Sequence, residues 1–93
     1  MLSATANVPT ANASRYLQQL CKHWSHKLDV AFDERAGTVR FQDAVVSMSA
    51  SEEALSVTVE AADDGIRDRI EGVVQSHLDR FAFREAPLPF QWS

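Results

Sequence analysis

Between Leu28 and Ala61 the apolar residues fall at every second position in four successive runs, and the segments on either side of that stretch carry them at helical spacing. Leu28, Val30 and Phe32 make the first run, Val39 and Phe41 the second, Val46, Met48 and Ala50 the third, and Leu55, Val57, Val59 and Ala61 the fourth. The segments "ERAG", "QDA" and "SEE" lie between them and read as turns. Successive side chains of a strand point to opposite faces, so this alternation gives each strand one apolar and one polar face. Four such strands joined by short turns predict an antiparallel meander with one side in water.

A sheet with one greasy face needs a cover, and the flanking segments supply it. Tyr16, Leu17, Leu20, Cys21, Trp24 and Leu28 share one side of a predicted helix; Arg15, Gln19, Lys22 and His26 fall on the other, with His23 at the border. Thr10, Asn12 and Ser14 are candidate N-caps. A second helix opens at "ADDG", capped by Asp63 or Asp64, and carries Ile66, Ile70, Val73, Val74, His77, Leu78 and Phe81 at helical spacing. It should stop before Pro87. Leu2 to Val8, ending at Pro9, reads as an edge strand; Leu88, Phe90 and Trp92 read as a last strand, which Pro89 confines to an edge or a strand start. The expected fold is α+β: a two-layer sandwich in which two helices pack on one face of an antiparallel sheet. The element order is strand, helix, four-strand meander, helix, strand. A ferredoxin-like arrangement is the second choice, although it alternates helices with strand pairs differently.

Ninety-three residues make a single domain, 1–93, able to bury roughly 60–65% of the surface of its unfolded chain. The single cysteine, Cys21, allows no internal disulfide. The opening "MLSATANVPTANASR" has no basic start and no apolar run, so it does not read as a secretion signal, and no stretch is apolar enough to span a membrane. A cytoplasmic protein is expected. The net charge of −4 is unevenly spread: no acid precedes Asp29, while Arg15, Lys22 and Lys27 do, and the remainder holds six arginines against thirteen acids. One basic helix side is too little for general nucleic-acid binding. The plain expectation is that this helix lies beside an acidic neighbour in the same fold.

The densest chemistry is "LCKHWSHK", Leu20 to Lys27. Trp24 and Cys21 sit on the apolar side and should pack in the core, where a thiol is inert. His23 and His26 are three apart, close enough on a helix for their rings to approach. Two histidines hold a metal only when further ligands arrive from elsewhere. His77 falls on the apolar side of the second helix, where it either finds a hydrogen bond in the core or faces a cleft between the helices close to His23. Arg80 and Arg84 are four apart and form either a positive fork for a carboxylate or phosphate, or exposed pairs with Asp79 or Glu85. Neither a glycine-rich phosphate loop nor a GxSxG elbow is present.

"ANASRYLQQLCKHWSHK", the meander, and "HLDRFAFRE" before a short terminal strand together resemble a bacterial family catalogued as domain of unknown function 2218. The resemblance covers nearly the whole chain. It implies stand-alone cytoplasmic domains of about this length, with no assigned activity and a hint of iron or redox physiology. Its motif residues fall here on Ser14, Arg15, Tyr16, Leu20, Cys21, Lys22, His23, Trp24, His26 and Lys27, then on His77, Leu78, Arg80, Phe81, Phe83, Arg84 and Glu85. The "QDA" turn departs from the family, where glycine is usual, which puts the tightness of that hairpin in doubt.

These readings converge on a non-enzymatic ligand-binding or protein-interaction domain. Its candidate surface comprises Arg15, Lys22, His23, His26, Lys27, His77, Arg80 and Arg84. No cofactor is called for, and the expected partner is a small anionic ligand or a second copy of the chain. The alternative is a metal-binding protein or small metal-dependent enzyme using His23, His26 and His77.

Overall fold

The computed structural model describes residues 2–82, 84, 85, 88 and 90–93. Among these, the order is β1 (Leu2–Pro9), α1 (Ala13–Trp24), β2 (Asp29–Phe32), β3 (Ala36–Phe41), β4 (Ala44–Ala50), β5 (Ala54–Ala61) and α2 (Asp64–Phe81). The strands lie in one sheet in the order β1-β5-β4-β3-β2, and every neighbouring pair is antiparallel. Strands β2 to β5 are the expected meander. The sheet as a whole is not a simple meander, because β1 joins at the far side of β5. This is not the ferredoxin-like alternation, since no helix separates β2 from β5.

The register puts the alternating apolar residues in rows across the sheet. Ala4, Val59, Val46, Val39 and Val30 form one row, and Ala6, Val57, Met48, Gly37 and Phe32 the next. The opposite face carries Thr5, Thr58, Ser47 and Thr38 in register, with the hydroxyls of Thr5 and Thr58 3.1 Å apart. The apolar face meets Tyr16, Leu17, Leu20, Cys21 and Trp24 of α1 and Ile70, Val74 and Leu78 of α2 in one buried cluster. Both helices therefore cover the same face, as the pattern predicted. A fully buried leucine or valine contributes about 1.5–3 kcal/mol, so this cluster is the main source of stability.

Close packing of α1 depends on Gly37. A methyl in place of its hydrogen would stand 2.8 Å from Cys21 Sγ, 3.2 Å from Phe32 Cβ and 3.4 Å from Leu17 Cδ2. The "ERAG" turn forms one residue earlier than expected: Asp33, Glu34 and Arg35 make the reversal, the Asp33 N–H donates to the Ala36 carbonyl at 2.8 Å, and Ala36 and Gly37 belong to β3. The Asp33 carboxylate accepts from the backbone N–H of Arg35 (2.7 Å) and of Ala36 (2.9 Å), and those two bonds hold its pKa below the ordinary carboxylate value. At "QDA" the two-residue turn forms, with Asp43 in the left-handed region at φ 64°. Ser51 Oγ accepts from the N–H of Glu53 and Ala54 to close the third turn.

Two further expectations need correction. α1 ends at Trp24, with Ser25 and Lys27 N–H groups closing onto the Cys21 and Trp24 carbonyls, so His26 and Leu28 lie beyond it. The terminal segment is not a strand among the described residues; Ser93 alone exchanges two backbone bonds of 3.0 Å with Thr5. Its alternation is nonetheless real in packing, since Leu88 is buried and Phe90 and Trp92 lie against the core. Phe83 of the second motif, Pro87 of the expected helix stop and Pro89 of the expected last strand lie outside the described residues. α2 begins as foreseen, with Asp63 Oδ1 accepting from the Ile66 N–H at 2.8 Å.

Candidate functional site: a histidine pair and a basic helix side

The last turn of α1 brings His23 over His77 of α2, their ring centroids 5.2 Å apart and tilted by 52°. Trp24 stands on the core side of His77 at 5.4 Å, with Phe41 edge-on beneath it at 5.4 Å. Phe81 meets His23 edge-on at 5.8 Å. The cleft position read from the sequence is therefore the one His77 occupies, half-buried, with His23 exposed above it. The ring of His77 is oriented by its own helix, because Nδ1 lies 2.8 Å from the Val73 carbonyl oxygen. A carbonyl only accepts, so Nδ1 carries the proton, and in the neutral ring Nε2 is left as an acceptor.

His26 does not join this pair. It is exposed in the turn after α1, and among the described residues no ring contact links it to His23. The metal reading that used His23, His26 and His77 together thus lacks its third ligand, and no group of three metal-binding side chains occurs among the described residues. Arg80 and Arg84 are both exposed, but the helix ends at Phe81, so their four-residue spacing is not a helical pair. Asp79 and Glu85 also serve the backbone and the far end of the fold. Asp79 accepts from the Leu88 N–H at 3.3 Å, and Glu85 reaches back to the start of α1.

Arg15, Gln19, Lys22, His26 and Lys27 are all exposed along and just beyond the outer side of α1. Among the described residues, no ion pair within 4.0 Å reaches Arg15, Lys22, Lys27 or Arg80, whereas Arg67 pairs with Asp64, Asp68 and Glu71, and Arg40 with Asp29. Acidic neighbours, Glu34 and Glu52, stand at the N-terminal end of this helix, and among the described residues they form no ion pair with it. There an open groove of about 600 Å³ is lined by Asn12, Ser14, Arg15, Glu34, Arg35 and Glu52, among others. Ser14 Oγ donates to the Glu34 carbonyl at 2.6 Å and fixes the β2–β3 turn against the helix, which is how Arg35 comes to share the groove with Arg15.

Glu85 was read only as a local partner for arginine, yet it ties the two ends of the fold together. Its carboxylate accepts from Thr10 Oγ1 (2.9 Å), Asn12 Nδ2 (3.1 Å) and the Tyr16 hydroxyl. These bonds, Tyr16 first, hold the Glu85 pKa below its ordinary value, while burial and then Glu85 itself raise that of Tyr16. Asn12 is the N-cap residue but makes no side-chain cap bond; its amide nitrogen donates to Glu85. The only sequence signal was the joint presence of Tyr16 and Glu85 in the two motifs. Cys21 is fully buried, and burial pushes its thiol up to about 11, which fits the packing role expected of it.

A two-layer α+β domain with a histidine pair between its helices and an unpaired basic side on the first of them is the class of protein these features define. The chain belongs to the family described as uncharacterised protein conserved in bacteria (DUF2218), whose model matches residues 5–93. The fold is similar to that in the NMR structure of PA4090 from Pseudomonas aeruginosa: 30% identity, 100% of this chain and 96% of that chain covered, TM-score 0.86. No curated protein matches the chain. Among the described residues no helix is long and apolar enough to cross a membrane.

Proposed function

We propose that this protein is a non-enzymatic binding domain that takes a small ligand bearing a carboxylate or phosphate, recognised at the basic side of α1. The observation that carries the reading is the unpaired state of Arg15 and Arg35, which line one groove with no ion pair among the described residues. A planar guanidinium is suited to bidentate recognition of such groups. Lys22 and Lys27 extend the same positive field toward the other end of the helix and favour the approach of an anion. Glu34 and Glu52 share the groove, so the ligand also offers a donor or cationic group to them. A second copy of the chain fits this side less well, because a two-fold interface would set one basic helix side against another. Nothing observed on the chain favours the link to iron or redox physiology that the resemblance implies, and it forms no part of the proposal.

The test is an amide-resolved NMR titration with inorganic phosphate and with citrate at constant ionic strength. Saturable shifts at residues 11–15, 34–35 and 50–52, weakened about tenfold or more in Arg15→Gln, are expected, since hydrogen bonds to charged groups contribute about 1.5–3 kcal/mol. Shifts that never saturate, or that survive Arg15→Gln unchanged, reject the reading.

A further inference from the structure

The geometry points to a second, separate site: a two-imidazole seat for a borderline divalent metal ion such as Zn²⁺ or Cu²⁺, made by His23 and His77. Two rings bound to one tetrahedral ion through N–metal bonds of about 2.0–2.1 Å have centroids about 5 Å apart. The observed separation is 5.2 Å. His77 also carries the supporting contact that metal-binding histidines require. Its Nδ1–H is given to the Val73 carbonyl, which fixes the tautomer and leaves the Nε2 lone pair for a ligand bond. Trp24 packs against the same ring and restrains it further. His23 is exposed and, among the described residues, makes no hydrogen bond, so its ring can turn to bring a nitrogen to the ion.

The order of the donors is also informative. Imidazole nitrogen is matched to Zn²⁺, Cu²⁺ and Ni²⁺ and ill-suited to Mg²⁺ or Ca²⁺, which demand oxygen. With two protein ligands the ion keeps open positions. Lys22, next to His23 in sequence, and Lys27, in the turn after the helix, make no ion pair among the described residues and favour an anion there as the completing ligand. This site lies at the C-terminal end of α1, opposite the Arg15 groove, and stands or falls independently of it.

The experiment is a Zn²⁺ titration of the full chain, free of any histidine tag, followed through the Hε1–Cε1 resonances of the three histidines; Cu²⁺ serves as a broadening probe. Saturable shifts of His23 and His77 together, with Mg²⁺ silent, are expected. His23→Gln, an exposed change that leaves the fold intact, should weaken Zn²⁺ binding at least about tenfold, the scale on which even supporting residues of metal sites act. His26→Gln should leave it unchanged. Absence of saturable binding, binding that ignores His23→Gln, or equal loss in His26→Gln each overturns the inference.

Discussion

Tyr16 donates its hydroxyl to the Glu85 carboxylate across a separation of 69 residues, joining the first turns of α1 to the chain just past the end of α2. With Thr10 and Asn12 on the same carboxylate, one side chain holds three donors from the β1–α1 junction. The family resemblance places Tyr16 in one motif and Glu85 in the other, and this contact explains in physical terms why they would travel together.

Removing that acceptor should cost the domain stability in a pH-dependent way. The folded pKa of Glu85 lies below its ordinary value of 4.5, so its contribution is complete above that value and is lost as pH falls through the folded pKa. Tyr16 behaves oppositely. Its folded pKa is raised above 10.0, so its contribution is complete below that and is lost as pH rises through the folded value. Glu85→Gln should therefore unfold at lower temperature than wild type at pH 7, with the gap closing as both are acidified below about pH 4, a range set by unperturbed glutamate. Thermal melts of the two proteins from pH 3 to 8 check this, and a gap independent of pH refutes it.

Gly37→Ala should destabilise although alanine is the better residue inside a strand. Replacing a strand glycine gains about 0.5–1 kcal/mol from the unfolded chain, but a methyl 2.8 Å from Cys21 Sγ forces overpacking that costs about 1–3 kcal/mol. Steric conflict prevails, lowering Tm by several degrees in a domain of this size. The double variant with Cys21→Ala should be less damaged than the sum of the singles. Denaturant melts of the four proteins give the coupling directly.

Asp43 offers the opposite case. Its left-handed backbone, φ 64°, is disfavoured for a β-branched residue by about 1–2 kcal/mol. The bond it makes to the Ala62 N–H uses its backbone oxygen, which every substitution keeps. Asp43→Val should thus lower stability by about that amount, and Asp43→Gly should stay within about 0.5 kcal/mol of wild type, since glycine's relief of strain is offset by its looser unfolded chain. The "QDA" hairpin closes in two residues without a glycine, and equal melting of the valine and glycine variants would show that its left-handed residue carries no strain.

What the sequence made legible was whatever burial writes with a period. Leu55, Val57, Val59 and Ala61 are all buried, as their alternation required, and Ile70, Val74 and Leu78 define the inner side of α2. The misreadings come from interactions without a period. "ERAG" has the composition of a turn, but only Glu34 and Arg35 lie in the reversal, because the Asp33 carboxylate just before them accepts from the Arg35 and Ala36 N–H groups and starts the turn one residue early. The end of α1 carries neither glycine nor proline, so His26 read as helical although the helix stops at Trp24. Leu88, Phe90 and Trp92 alternate because one side faces the core, but Pro89 has no N–H to give a ladder, and alternation alone does not reveal whether a neighbour is hydrogen-bonded. The Glu85 anchor was invisible for a different reason: its partners are set by topology and not by spacing.

The position of Trp24 has one more consequence. Its indole, buried at 6% exposure, touches the same imidazole that faces solvent through His23. A change of charge on an imidazole packed beside an excited indole changes the light the indole emits. The other tryptophan, Trp92, is tied to Gln75 on the far flank of α2 and reports elsewhere. With Trp92 replaced by phenylalanine, the domain becomes its own fluorimeter, and the state of the two rings is readable without any label.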